Sequence, residues 1–124
     1  MNKTSAKEWL EKAWHNLSGA KVLYEVNHYT DITAIELHYA VEKILKSFLA
    51  YENKKIPKTH DLVQISKLID DKINLEEDFL LLKQITKYHR EAPSKEEIKE
   101  VMDFTYNLLD KVCNILDINK EDLI

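Results

Sequence analysis

Glycine and proline are scarce in this chain, which has one glycine and two prolines among 124 residues. Sheets and their turns usually need more of both residues, so this scarcity favours an all-α fold. The single glycine also excludes the glycine-rich loops that hold phosphate in many nucleotide-binding proteins. The one cysteine, Cys113, excludes an intrachain disulfide and favours a reducing compartment, so we expect a cytoplasmic protein.

Long apolar runs are also missing, because no stretch approaches the ~20 residues that a membrane-spanning helix requires. The charged N-terminal residues have no apolar run behind them, so we expect no signal peptide and no membrane contact. The formal net charge of −4 argues against general attraction to nucleic acid, so such contact needs a local basic patch. The length suits a single domain over residues 1–124, with a short tail that we expect to fray after about residue 117.

Apolar residues recur at steps of three and four along five segments of the chain. This pattern predicts an antiparallel up-and-down bundle of four long helices plus one short helix, the third in order. Gly19 lies inside the first helix, where we interpret it as a point of close packing against a partner helix. The stripes expected to face the core in the first and last helices are Ala6, Leu10, Ala13, Leu17, Ala20 and Tyr24, and Ile98, Val101, Thr105, Leu108, Val112 and Ile115.

Short polar side chains mark the predicted starts of the helices. The residues that we expect to cap these starts are Thr4 or Ser5, Asp31, Thr59 and Ser94, the last in a capping box with Glu97. Thr59 lies in the segment IPKTHDL, residues 56–62, where Pro57 also ends the preceding helix and Asp61 complements the next helix dipole. His60 has no such structural role, so it is either an exposed residue of the first turn or part of a site.

Residues 38–68, HYAVEKILKSFLAYENKKIPKTHDLVQISKL, resemble the HEPN family, in which a helix of pattern A-x-E-K-x-L-K-x-x-L precedes a T-H-D-L segment. The likeness extends over about Ser5 to Leu116. It implies a compact helical bundle that dimerises and often acts beside a minimal nucleotidyltransferase, in a two-component system of the toxin–antitoxin kind. The matching residues here are Ala40, Glu42, Lys43, Leu45, Lys46 and Leu49, followed by Thr59, His60, Asp61 and Leu62.

Many members of the HEPN family are metal-independent RNases that carry an Arg, four to six further residues and then a His. In this chain Arg90 is the only Arg, and positions 95–97 hold Lys, Glu and Glu where that His would fall. This departure favours an interaction module that binds a nucleotide or RNA without cleaving it. An RNase toxin with a diverged site remains the alternative, and its candidate catalytic residues are His38, His60, His89 and Arg90.

His38, Glu42 and Lys46 share one face of the second helix at steps of four. They form either a charge ladder along the helix or a polar cleft at an interface, and the cleft would also include Thr59, His60 and Asp61. Because Ile35 and Leu49 lie alongside this strip, the helix has a second partly apolar surface to cover, and we predict a homodimer.

Lys83, Lys87 and Arg90 share a face at the end of the predicted fourth helix. They are either a solvated basic face that complements the helix dipole or, together with Lys46, a set of phosphate-binding residues. The five histidines lack the paired spacing that zinc sites on helices use, so we expect no metal and no cofactor.

Overall fold

The computed structural model describes residues 1–124 and contains helices and turns but no strand, which confirms the all-α fold class. The five α-helices are α1 (Lys3–Glu25), α2 (Thr30–Tyr51), α3 (Leu62–Leu68), α4 (Phe79–Thr86) and α5 (Lys95–Leu116). Three of them are long, and the expectation of a long fourth helix is wrong because α4 has 8 residues. The chain tightens into a 3-10 turn at Lys87–His89 and then meets Pro93, which cannot continue a helix.

Helix α1 runs antiparallel to both of the other long helices, α2 and α5. The Asn2 backbone N–H donates to the Tyr51 carbonyl at 2.7 Å, which places the start of α1 beside the end of α2. Lys3 at the start of α1 pairs with Asp117 after α5 at 3.1 Å, so α1 and α5 are antiparallel as well. Helices α2 and α5 therefore run in the same direction. The two short helices α3 and α4 lie between them in the sequence, where a further long helix was predicted.

One apolar cluster of 30 buried residues forms the core. It includes the Ala and Leu positions of the predicted α1 stripe, which are fully buried, and most of the stripe of α5, whereas Tyr24 is partly buried and packs against the cluster. Ile115 is an exception because it is exposed and Leu116 is buried instead, as expected when a helix of 3.6 residues per turn drifts around its axis. The interpretation of Gly19 is also wrong, since a Cβ atom there would meet no atom within 4 Å.

Helices α1 and α2 begin differently from the prediction. Helix α1 starts before Thr4, because the Asn2 side chain accepts a hydrogen bond from the Ser5 backbone N–H at 2.9 Å. Helix α2 starts without a side-chain cap, and Asp31 lies inside its first turn rather than at the cap position. A carboxylate in that turn still favours the helix by its interaction with the free N–H groups.

The start of α5 confirms half of the predicted capping box. The Ser94 hydroxyl accepts from the Glu97 backbone N–H at 3.2 Å, as a cap should. The Glu97 carboxylate does not complete the box, because it accepts a hydrogen bond from the Gln84 side chain at 2.8 Å. This bond joins α4 to α5 and fixes the end of α4, where the candidate site begins.

Asparagine and aspartate form the left-handed positions at the ends of the long helices. Asn27, Asn53 and Asp117 have φ values of 56°, 56° and 55°, a conformation in which glycine is the usual residue.

In place of the expected frayed tail, Lys120–Leu123 forms a 3-10 turn, because Leu123 packs into the core and Lys120 pairs with Asp110 at 2.7 Å. None of the helices combines the length and apolar character needed to cross a bilayer.

Candidate functional site

The segment between α2 and α3 folds over the polar face of α2, and His38 anchors it there. The His38 Nε2 atom lies 2.9 Å from the His60 carbonyl oxygen, and because a carbonyl only accepts, the ring N–H donates. His38 is buried, and this burial lowers the pKa of its imidazole more than the His60 carbonyl and the Glu42 charge raise it. A neutral His38 therefore holds the backbone at His60.

Glu42 lies at the centre of the site, with both carboxylate oxygens occupied. Its Oε1 atom accepts from His60 Nδ1 at 2.7 Å, and its Oε2 atom accepts from Lys46 Nζ at 3.1 Å. Glu42 and Lys46 are each only 5% exposed, and His60 of the interhelical segment contacts Glu42. The pairing along α2 is the predicted one, but it lies beneath the chain rather than at a solvent edge, and Lys46 Nζ is already bonded to Glu42.

His60 joins this buried charge pair to solvent. Its side chain is 68% exposed, although its Nδ1 atom contacts the buried Glu42 carboxylate. A carboxylate oxygen accepts, so the Nδ1 atom carries the proton, and in the neutral ring the lone pair is on Nε2. A histidine held in one tautomer by a carboxylate, with the other nitrogen free, is the arrangement that proton transfer requires.

Asp61, rather than Thr59, caps α3. The Asp61 Oδ1 atom accepts from the backbone N–H groups of Val63 at 3.0 Å and Gln64 at 3.3 Å. The prediction of Thr59 as the cap is wrong because the backbone is still extended at Asp61, which brings that carboxylate to the free amides. Thr59 instead accepts from the Asp61 N–H at 3.1 Å and shapes the turn before the helix.

The end of α4 contributes His89 through a second fixed tautomer. Its Nδ1 atom lies 2.8 Å from the Thr86 carbonyl, to which it must donate, so Nε2 is again the free nitrogen of the neutral ring. The Thr86 hydroxyl accepts from the Leu62 backbone N–H at 3.2 Å and donates to the Leu82 carbonyl at 2.8 Å. Thr86 thus connects the start of α3 to the end of α4.

These elements surround a cavity of about 330 Å³. We call it the histidine cavity, and its lining residues are Ile35, His38, Tyr39, His60, Asp61, Thr86 and His89. The structure therefore brings together three of the five histidines, with Glu42 bonded to one of them. Tyr39 and Thr86 are not among the site residues predicted from the sequence. Tyr39 follows His38 and lies one helical turn after Ile35 in the sequence. This spacing is the one sequence feature that would have placed Tyr39 beside the other cavity residues.

The basic residues near the cavity are exposed but do not form one helical face. Helix α4 ends at Thr86, so Lys87 lies in the following 3-10 turn and Arg90 follows that turn. The shared face predicted for Lys83, Lys87 and Arg90 is therefore wrong in its geometry. None of the three takes part in an ion pair, and none lines the histidine cavity.

The protein is a small helical-bundle domain in which three histidines line one cavity beside the segment between the second and third helices. Residues 6–116 match the family model of the HEPN domain, so this chain belongs to the HEPN domain family. A search of curated proteins found no match. A search of solved structures found none either.

Proposed function

We propose that this protein is a dimeric HEPN module that binds RNA or a nucleotide at the histidine cavity and acts with a nucleotidyltransferase partner. The observation that carries the binding proposal is the meeting of His38, His60 and His89 at one cavity. The single N–H of the neutral His60 and His89 rings already donates within the chain, so each ring would donate to a phosphate oxygen from Nε2 when it is protonated. Lys87 begins the 3-10 turn that ends at His89, and Arg90 follows that turn. Neither side chain takes part in an ion pair, so both supply positive charge close in sequence to His89.

The size and lining of the cavity favour a single nucleotide unit. A volume of about 330 Å³ is at the lower end for ligand sites, which supports entry of one base or one phosphate and sugar rather than a duplex. Tyr39 is exposed at the cavity and offers an aromatic face on which a base stacks. Single-stranded RNA, whose bases turn outward, suits this combination of a stacking surface and nearby cations.

Fluorescence anisotropy of a labelled single-stranded RNA tests the binding proposal. We expect binding that weakens with salt, and Arg90→Ala should lower the salt slope by about one unit because it removes one phosphate contact. Lys12→Ala is the matched control, since Lys12 is an exposed and unpaired cation on α1. The proposal fails if neither RNA nor a mononucleotide binds, or if Lys12→Ala weakens binding as much as Arg90→Ala does.

An exposed apolar strip supports the dimer. The strip predicted from Leu49 and the charge ladder is buried within one chain, but Ile32 and Tyr39 are exposed and Ile35 is half-buried on the outer face of α2. These three recur at steps of three and four, and Ile35 and Tyr39 also line the histidine cavity. A second copy of the chain covering this strip would lie at the mouth of the cavity.

Light scattering at micromolar concentration tests this assembly. We expect about twice the chain mass of 14.6 kDa, and Ile32→Asp should give a monomer because it places a charge in the contact. Leu80→Asp is the matched control, because Leu80 is exposed on α4, away from the strip. A monomeric wild-type protein would contradict the dimer.

The nucleotidyltransferase partner rests on the family likeness described above. Its test is whether a neighbouring reading frame encodes a nucleotidyltransferase and whether the two proteins co-purify after expression together. A neighbour of another kind, or one that does not co-purify, would remove this part of the proposal and leave the binding of RNA or nucleotide to be judged by its own measurement.

A further inference from the structure

We propose that a phosphate group enters the histidine cavity together with protons, and that His60 and His89 each take up one of these protons on Nε2. The inference rests on the proposed binding of RNA or a nucleotide and adds a control of that binding by pH. While its imidazoles are neutral, the cavity offers a phosphate hydrogen-bond acceptors and negative charge, whereas a phosphate needs donors and positive charge.

Two of the lining side chains use their donors to hold the cavity together. The His38 Nε2–H donates to the His60 carbonyl at 2.9 Å, and the Thr86 hydroxyl donates to the Leu82 carbonyl at 2.8 Å. The Tyr39 hydroxyl remains free of hydrogen bonds within the chain. A single phenol cannot satisfy the oxygens of a phosphate, so further donors are needed at the cavity.

The rings of His60 and His89 can become these donors without moving. His60 donates its Nδ1 proton to the Glu42 carboxylate at 2.7 Å. His89 donates its Nδ1 proton to the Thr86 carbonyl at 2.8 Å. Each neutral ring therefore has only the lone pair of Nε2 for a ligand, and this lone pair repels a phosphate oxygen. A proton added to Nε2 turns that atom into a charged donor and leaves the Nδ1 bond in place.

The charge of the cavity lining also opposes an anion until protons are added. Asp61 lines the cavity with a carboxylate, and no Lys or Arg is among the lining residues. The lining is therefore negative while its imidazoles are neutral, and one proton on each of two rings makes it positive. Lys87 and Arg90 attract a phosphate towards the cavity from outside, but the positive charge inside has to come from histidine.

Other titratable or charged groups near the two rings come from α2, the segment before α3 and the turn after α4, and they are His38, Tyr39, Glu42, Asp61, Lys87 and Arg90. His38 is a poor source of charge, because burial lowers the pKa of its imidazole. Glu42 has Lys46 as its counter-ion at 3.1 Å, so its charge is compensated with and without a ligand. His60 and His89 are therefore the two groups expected to change charge when a phosphate binds.

Isothermal titration calorimetry with a short oligouridylate that has hydroxyl ends counts these protons. Uracil and the phosphodiester have no group that titrates near neutral pH, so protons taken up on binding enter the protein. The binding enthalpies in PIPES and in bis-Tris should differ, because the two buffers release protons with different heats. At pH ~7.5, where a free imidazole is mostly neutral, we expect an uptake that approaches about two protons. The affinity should fall by about tenfold per pH unit for each linked proton as the pH rises above ~7.

Glutamine variants separate the donor from the titration. His60→Gln and His89→Gln each place an amide donor near the former Nε2 that needs no added proton, so each variant should take up about one proton fewer and depend less on pH. The two variants test the idea independently, because His89 is exposed and does not contact Glu42. His15→Gln, at an exposed histidine of α1, is the matched control and should keep the wild-type uptake.

Binding without proton uptake would overturn this inference and leave the proposed function intact. Absence of binding even at pH ~6, where imidazole is mostly protonated, would overturn both. Proton uptake that is unchanged in both glutamine variants, at equal folded content by circular dichroism, would assign the protons to other groups and would also overturn the inference.

Discussion

Replacing Lys46 with Met should destabilise the protein by about 3–5 kcal/mol, because it leaves the Glu42 carboxylate buried without its cation. Met keeps the length and most of the apolar volume of the Lys side chain, so the charge is the main quantity that changes. The distance supports this magnitude, since two charges 3.1 Å apart attract by about 5 kcal/mol at an effective dielectric constant near 20. Both side chains are below 10% exposed, so solvent screens this attraction little.

Urea denaturation near neutral pH, followed by far-UV circular dichroism, measures the effect. The matched control is Lys99→Met, which removes another Lys paired with a carboxylate four residues away, Asp103 at 2.7 Å. Lys99 and Asp103 are 55% and 58% exposed, so solvent screens this pair and the change should cost far less than Lys46→Met does. The double variant Glu42→Gln/Lys46→Met should recover part of the loss, because it leaves no unpaired charge in the interior.

Two results would refute this reasoning. If Lys46→Met costs no more than Lys99→Met, the Glu42 carboxylate is solvated and the segment before α3 does not cover it. If the double variant is at least as unstable as Lys46→Met alone, the loss arises from packing of the Met side chain and not from an unpaired charge.

Three further predictions concern stability. Gly19→Ala should raise the free energy of unfolding by about 1 kcal/mol, because the new methyl group meets no atom within 4 Å, and a lower value would contradict the open space there. Asp61→Ala should cost about 1 kcal/mol and more than Thr59→Ala, because Asp61 caps α3; the reverse order would restore Thr59 as the cap. The pKa of His38 is lowered from 6.5 in the folded state, so the unfolded chain takes up this proton first as the pH falls. The melting temperature should therefore decrease from pH ~6.5 downwards, and His38→Gln should make that decrease smaller; an unchanged decrease would exclude His38 as its source.

The helices and the core could be predicted from the sequence because their signal is local. The spacing of Leu10 and Leu17 with the alanines between them is enough to place the buried face of α1, since a helix brings residues three and four apart onto one side. The shortness of α4 was missed because the apolar pattern at Leu82 and Ile85 fits a long helix as well as a short one.

The site could be predicted only in part, because its contacts join residues that are distant in sequence. Glu42 and His60 are 18 residues apart, and Leu62 and Thr86 are 24 apart, so no helical spacing relates the members of either pair. The sequence indicated Glu42 by its spacing along α2 and His60 by its lack of a capping role, and the family likeness includes both residues. It could not show that the chain folds back over Glu42. This fold buries the Glu42 carboxylate and leaves His60 as its partner at the surface.

The left-handed residues after the long helices affect the unfolded chain as well as the folded one. Asn27, Asn53 and Asp117 each carry a strain of about 1 kcal/mol that glycine would avoid. Glycine at the same positions would widen the denatured ensemble and cost about 0.4–1 kcal/mol in conformational entropy, so the two effects nearly cancel. With a single glycine in 124 residues, glycine adds little conformational freedom to the unfolded chain. Its entropy of unfolding per residue should therefore be smaller than that of a glycine-rich domain of equal length.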